Sequence, residues 1–406
     1  MLDSRIFSKR LAGRRKSIIR ELEPLSRLPG VISLGAGYPS PATFPLREAR
    51  FDIDGIAIEL SAEDRQRACQ YGPTEGDPAL VQRLHAWHAA KSGVSLEAGQ
   101  LLVLSGSQEG LFSIACLVLD PGDAVLLAEP AYPGALSSFT LFTEELVGVA
   151  QDERGMRPDA LRDALAACRA PAKMLYLNPT CQNPAGVTMD EERRRALLAI
   201  AAQHGLLVVE DDAYELLGFD DGPRPPTLQA LDPANVLRLD SFSKVLAPGL
   251  RLGYASGPRW LVDELRLLRQ SSTIQSSSLD QVLLEKVLEV LGTDGLMQRV
   301  ARSRAHYRKA CDTVREALAR HLPSARYVRP AGGFFLWLEV DGVDTAAMIR
   351  GLAGVAGVLM MPGAGFAVRG NLDHALRIAF SLQTNEALAE GIRRLKEMIS
   401  LRLIKS

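Results

Sequence analysis

Lys244 is the residue in this chain whose placement most invites chemistry. It stands in the string SFSKVLAPGLRLGY (241–254), directly after an apolar run that reads as a buried strand. An ammonium in that position loses hydration, and burial lowers its pKa toward the neutral amine, the form that condenses with a carbonyl. Ser241 and Ser243 bring hydroxyls beside it and Arg251 a guanidinium fork, a set suited to a phosphate. Taken singly, these residues have ordinary fates, a snorkelling lysine and a surface arginine. Similar polar groups follow other apolar runs. GSQEG (106–110) puts Ser107 and Gln108 at the start of an apolar helix, a natural phosphate site, although serine is common at helix starts anyway. EPAYPG (129–134) sets Tyr132 between prolines, where a rigid ring can stack on a flat ligand or on the core. NPTCQNPAG (178–186) is dense in turn formers and reads equally well as a plain loop. VEDDAY (209–214) ends a strand on two carboxylates, and one residue of register decides whether Asp211 or Asp212 faces inward. Arg377 interrupts the apolar run ALRIAFS (375–381), which is costly unless it meets an anion, either a ligand carboxylate or a structural partner.

These groups need elements to hold them. From about residue 70 to 290, short apolar runs alternate with amphipathic, helix-length segments, the pattern of βα units around a mostly parallel sheet. LLVLSG (101–106), AVLLAEP (124–130), KMLYLNP (173–179), GLLVVEDD (205–212) and NVLRLDS (235–241) read as strands. The stretch 189–205 opens with acids and closes on Gly205, as a helix should. In open parallel sheets ligands bind beyond the carboxyl ends of the strands, which is where all of these polar residues fall. After about residue 290 a long charged helix leads to RYVRPAGGFFLWLEV, GVLMMPG and ALRIAFS, then a last helix, the texture of a smaller α+β unit. The 406 residues carry 47 Lys+Arg against 48 Asp+Glu, a net charge of −1 that offers no field for polyanions. No window reaches the roughly 18 apolar residues of a membrane span. Neither nucleic acid nor a membrane is expected as a partner. Five scattered cysteines without a CxxC pair read as reduced thiols, and a cytoplasmic setting is expected. The basic N-terminus could pass for a transit peptide, but it lacks an apolar h-region and a small-residue cleavage site, so a mature arm or helix is expected.

The string around Lys244 resembles the lysine signature of the fold-type I aminotransferases, class I/II, and the resemblance extends over essentially the whole chain. The subgroup containing 2-aminoadipate and kynurenine aminotransferases is the most similar. The resemblance implies an α/β fold with a large domain, a mostly parallel seven-stranded sheet sandwiched by helices, plus a small α+β domain. The expected division is an arm at 1–45, a pyridoxal 5'-phosphate (PLP) domain at 46–295 and a small domain at 296–406. It implies that Lys244 carries PLP covalently and shuttles the Cα proton, and that the turn at Ser107 and Gln108 holds the phosphate with Ser241, Ser243 and Arg251. Tyr132 would cover one ring face, Asn183 and Tyr214 would bond the phenolic oxygen, and Asp211 would hold the pyridinium proton, with Asp212 the competitor. Arg377 would bind the substrate α-carboxylate, with Asn183 beside it and the Gly37 backbone close by. Tyr71, in YGPTEGDPAL (71–80), matches a tyrosine that reaches a neighbour's cofactor phosphate, so a homodimer with composite sites is implied. KSIIRELEPL (16–25) resembles a mobile helix in which Arg20 contacts the substrate side chain; Arg14, Arg15 or a plain solvated helix face are alternatives.

The implied activity is transfer of an amino group from an L-amino acid to a 2-oxo acid such as 2-oxoglutarate, by ping-pong kinetics. The same cofactor also permits decarboxylase, lyase or oxidase chemistry. A non-catalytic regulatory protein is a third reading, and family-like sequence from about residue 17 leaves too little chain for its DNA-binding module. GAGFAVRG (363–370) invites a dinucleotide reading, but its glycines are not spaced GxGxxG, so a small-domain loop is expected. His85 and His88 share a helix face without a third ligand, and no metal site is expected.

Overall fold

A computed structural model describes residues 2–12, 29 and 38–405. Residues 2–12 form two short 3-10 turns, and Asp120 fastens them by accepting from the Ser8 hydroxyl (2.6 Å) and the Lys9 N–H (3.0 Å). A hairpin of β1 (Arg50–Ile53) and β2 (Ile56–Glu59) follows. The large sheet then accumulates as β3 (Leu101–Leu104), β4 (Ala124–Glu129), β5 (Leu146–Asp152), β6 (Gly155–Met156), β7 (Ala172–Leu177), β8 (Leu207–Asp211), β9 (Val236–Ser241) and β10 (Gly253–Ser256). Its spatial order is β3-β10-β9-β8-β7-β4-β5-β6. The five apolar runs read as strands in the sequence are β3, β4, β7, β8 and β9. They lack polar alternation because helices cover both faces of a parallel sheet. Strand β10 runs antiparallel to both of its neighbours. Beside the seven strands that the resemblance implies, the two-residue β6 adds an eighth by folding back on β5.

Local signals place the helices. Asp190 caps Glu191–Gln203 by accepting from the Arg193 N–H, and Gly205 leaves the helix with φ +64°. The long helix Ser278–His321 breaks at Gly292, whose φ of 61° is outside helical geometry. Beyond it, β11 (Arg326–Tyr327), β12 (Phe335–Glu339), β13 (Met361–Pro362) and β14 (Ala375–Ala379) form an antiparallel sheet in the order β11-β12-β14-β13. Val314, Leu318, Leu336, Leu376, Phe380 and Leu395 pack this sheet, the long helix and the final helix Asn385–Lys405 around a core of their own. Among the described residues no helix is long and apolar enough to cross a membrane.

Candidate active site

The carboxyl ends of the parallel strands open on a cavity of about 260 Å³. Ser107, Gln108, Tyr132, Asn183, Asp211, Tyr214, Ser241, Ser243, Lys244, Arg251 and Arg377 all line it. Residues separated by up to 270 positions in the sequence therefore meet at one place.

At one end the helix Ser107–Val118 begins with no side-chain cap, so its first N–H groups point outward. Arg251 lies against this turn, its Nη1 donating to Ser243 Oγ at 3.3 Å. The Ser243 N–H in turn donates to Ser241 Oγ at 3.2 Å. Two glycines make the approach possible. A Cβ on Gly106 would lie 2.7 Å from Arg251 Nη2, and one on Gly253 would collide with the Asp240 carbonyl. The result is an anion cradle of helix terminus, hydroxyls and guanidinium. The Gln108 side chain does not face it: its Nε2 donates to the Gly134 carbonyl and Ser138 Oγ, both at 2.8 Å, and its Oε1 accepts from the Tyr132 hydroxyl at 3.2 Å. Gln108 thereby orients Tyr132.

Asp211 lies across the cavity from this cradle. Its Oδ2 accepts from the Tyr176 hydroxyl at 2.8 Å, whereas its buried Oδ1 has no partner among the described residues. Burial pushes the carboxyl up to about 6, opposed mainly by the Tyr176 hydrogen bond. Asn178 joins the ends of β7 and β8, donating to the Asp211 carbonyl (2.5 Å) and accepting from the Asn183 N–H (2.8 Å). Lys244 takes no hydrogen bond or ion pair from the described residues; its Nζ lies 5.8 Å from the ring centroids of Tyr214 and Phe334. Burial lowers its pKa first, and the Arg251 charge adds to that.

Arg377, on β14, completes the wall. Its guanidinium carbon lies 4.1 Å from the Phe335 ring centroid and 4.9 Å from that of Phe366. Nη1 donates to Asn183 Oδ1 at 2.9 Å, while the buried Nε has no partner among the described residues. No described carboxylate lies within salt-bridge distance of Lys244, Arg251 or Arg377, which leaves the cavity with an excess of positive charge. The structural salt bridge weighed for Arg377 is absent among the described residues.

Asp212 points the other way. Its Oδ2 accepts from Thr180 Oγ1 (3.1 Å) and Arg238 Nη1 (3.4 Å). Arg238 is fully buried and pairs also with Glu210 (3.1 Å), Glu215 (2.6 Å) and Asp240 (3.1 Å), and Lys91 closes the cluster on Glu215 and Asp240. His88 lies beside it, sharing a hydrogen bond with the Tyr254 hydroxyl at 3.1 Å, and burial pushes its pKa down to about 4. His85 bonds the Leu96 carbonyl instead.

Tyr71 is outside the cavity, half exposed in a separate groove with Arg67 and Asp77. Arg14, Arg15, Arg20 and Gly37 lie outside the described residues. Sequence reasoning pointed to the segments that contain Asn178 and Ala213 without giving either a role, and passed over Tyr176 and Phe335. Tyr176 and Asn178 carried a usable signal, because they sit two apart at the end of β7, Asn178 being the first residue past it. Phe335 carried none, since an aromatic in an apolar strand is ordinary core.

The model of the family described as aminotransferase class I and II matches residues 29–395. Aromatic-amino-acid aminotransferase 1 of Thermococcus litoralis is 32% identical over 398 residues, covering 97% of this chain and 94% of the relative. The mitochondrial kynurenine/alpha-aminoadipate aminotransferase of Bos taurus is 32% identical over 419 residues, 98% of each chain. Among solved structures, alpha-aminoadipate aminotransferase from Thermus thermophilus, complexed with N-(5'-phosphopyridoxyl)-L-leucine, superposes with a TM-score of 0.76 at 32% identity over all of both chains.

Proposed function

The chain belongs to the aminotransferase class I and II family, and we propose that the cavity around Lys244 transfers the amino group of an acidic or aromatic L-amino acid to 2-oxoglutarate or a similar 2-oxo acid. The protein is a PLP-dependent aminotransferase; the choice of substrate, the residue roles and the assembly are the proposal. The observation that carries it is the set of unpartnered polar ends around one cavity: the uncapped helix start with Arg251, Asp211 Oδ1, Lys244 Nζ and Arg377 Nε. These match the functional ends of PLP and its substrate one for one.

In this reading the Ser107 turn, the Gln108 backbone, Ser241, Ser243 and Arg251 hold the phosphate. Asp211 holds the proton on the pyridine nitrogen, Asn183 and Tyr214 bond the phenolic oxygen, and Tyr132 covers one ring face. Bound there at Lys244, PLP supplies an electron sink that lets a bond at the substrate Cα break heterolytically. Arg377 and Asn183 orient the substrate by its α-carboxylate, a bidentate fork being suited to that group. Lys244 Nζ, its pKa lowered by burial and by the charges of Arg251 and Arg377, accepts the proton leaving Cα in one half-reaction and delivers a proton to the carbon of the incoming 2-oxo acid in the other. The Gly37 backbone and Arg20 would meet the substrate carboxylate and side chain. Exposed Tyr71, remote from its own cavity, supports a homodimer in which it serves the partner's site. The boundaries 1–45, 46–295 and 296–406 are proposed for arm, cofactor domain and small domain, and a cytoplasmic location for the whole.

The relatives' names, aromatic and kynurenine/alpha-aminoadipate aminotransferase, support the substrate classes. The test mixes the yellow holoenzyme with L-2-aminoadipate, L-kynurenine, L-phenylalanine and L-leucine. An acidic or aromatic donor should discharge the visible absorption with stoichiometric 2-oxo acid. Release of ammonia or CO2 in place of amino transfer sinks the reading.

A further inference from the structure

Two motifs of the sequence have no role in the site so far: the glutamate of EPAYPG and the loop GAGFAVRG. They meet in the structure. Glu129 ends β4, three residues ahead of Tyr132, and its carboxylate accepts the N–H groups of Val368 (2.8 Å) and Arg369 (3.3 Å). Two residues on, the Ala131 N–H donates to the Phe366 carbonyl at 2.9 Å. Arg369 adds a tether, its Nη2 pairing with Glu145 Oε2 at 2.7 Å. The turn carrying Glu129 is itself held, since the Pro130 carbonyl accepts from Gln182 Nε2 (2.9 Å) and Gln151 Nε2 (3.2 Å). The absence of a side chain on Gly148, in the adjacent β5, leaves space for the carboxylate: a Cβ there would collide with Glu129 Oε2 and press on Val368.

The other end of the loop reaches Arg377. The Phe366 ring lies 4.9 Å from the guanidinium carbon and packs edge-on against Trp337 at 5.5 Å, and Trp337 is the β12 residue opposite Arg377. One loop is thus fastened to the end of β4, just ahead of Tyr132, and also supports the guanidinium. A carboxylate gripping two backbone N–H groups makes charge-assisted bonds, stronger than the neutral contacts of an ordinary loop. A guanidinium held on aromatic faces keeps its direction only while those faces stay in place.

We propose that Glu129 is a positioning residue for substrate: by clamping the Val368–Arg369 turn it fixes Phe366 beneath Arg377 and presets the carboxylate-binding fork relative to the Tyr132 ring. The inference rests on the reading of Arg377 as the carboxylate anchor. Its effect therefore belongs in KM, through Arg377, and not in the proton transfer at Lys244.

The test uses the holoenzyme and two independent variants, with 2-oxoglutarate as the carboxylate probe. E129Q keeps size and removes the charge; G148A keeps Glu129 and displaces its carboxylate. Each should raise the KM for 2-oxoglutarate about tenfold, with kcat within about threefold of wild type and the visible cofactor absorption retained. Added to R377K, E129Q should raise KM no further, because the anchor it positions is already lost. Unchanged KM in either variant that retains cofactor, or a full additional increase in the R377K background, overturns the clamp. If R377K itself leaves KM unchanged, the reading of Arg377 falls and takes the clamp with it; if R377K raises KM and E129Q does not, only the clamp falls. A role in folding alone would lower the melting temperature of E129Q without the selective change in KM.

Discussion

Asp211 and Asp212 are neighbours in the chain, both buried, and belong to opposite kinds of electrostatic environment. Asp212 faces a closed cluster in which Arg238 meets four carboxylates and Lys91 meets two. Asp211 faces a cavity where Lys244, Arg251 and Arg377 have no carboxylate partner among the described residues; each aspartate leaves its Oδ1 unbonded there, but only Asp211 lines that cavity. The closed cluster spends its charges on itself and serves the fold. The open one keeps charges unsatisfied, at a cost in stability, so that a ligand can satisfy them. Burial alone therefore does not mark a functional charge; what marks it is burial at a cavity without an ionic partner.

Four variants probe that contrast. The largest effect is expected for Lys244→Ala, with kcat lowered by more than about 10⁴-fold and the fold intact by circular dichroism. Wild-type-like transfer by this variant would refute the assignment of the open cluster. Arg238→Met strikes the closed cluster, leaving carboxylates buried without a counter-ion. It should cost about 3–5 kcal/mol of unfolding free energy in urea titrations. A neutral result would mean that the cluster relaxes or admits water.

Asp211→Asn should lower activity at least about a hundredfold while stabilising the cofactor-free protein. The sign follows from the raised carboxyl. Between its ordinary 3.8 and about 6 the folded chain keeps a proton that the unfolded chain releases, so stability falls as pH rises through that window and stays lost above it. The variant should therefore gain about 3 kcal/mol over wild type at pH 8 and little below the ordinary value of 3.8, read from melting curves of the apoprotein. Asp212→Asn sharpens the contrast through activity: burial raises this carboxyl too, to about 7, so both amides relieve a buried charge, but the Asp212 amide still accepts from Thr180 and Arg238 away from the cavity, and kcat should change by less than about threefold. Loss of activity in Asp212→Asn with activity retained in Asp211→Asn would reverse the assignment of the two residues.

Much of this arrangement was legible in the sequence. β3, β4, β7, β8 and β9 stood out because strands buried on both faces must be apolar along their whole length. Helix Glu191–Gln203 announced itself through Asp190 and Gly205. Strand β10 and the ribbon β6 did not, since two to four residues of mixed character carry no periodicity. The polar residues just past each apolar run pointed to one site, and eleven of the residues named line the cavity, whereas Asp212, the competitor of Asp211, does not. Tyr71 falls outside it, in a separate groove.

The sequence by itself determined the layered α/β architecture, the lysine and the family, because buried parallel strands and their polar ends leave a pattern that a single chain carries openly. Only the tertiary structure decided which of two adjacent carboxylates faces the cavity, that Arg377 has aromatic faces and an amide for company instead of an acid, and that Glu129 grips a loop 239 residues away. The physical reason is that a side chain's partner is set by register and by the meeting of distant strands, and neither is written in the residues next to it.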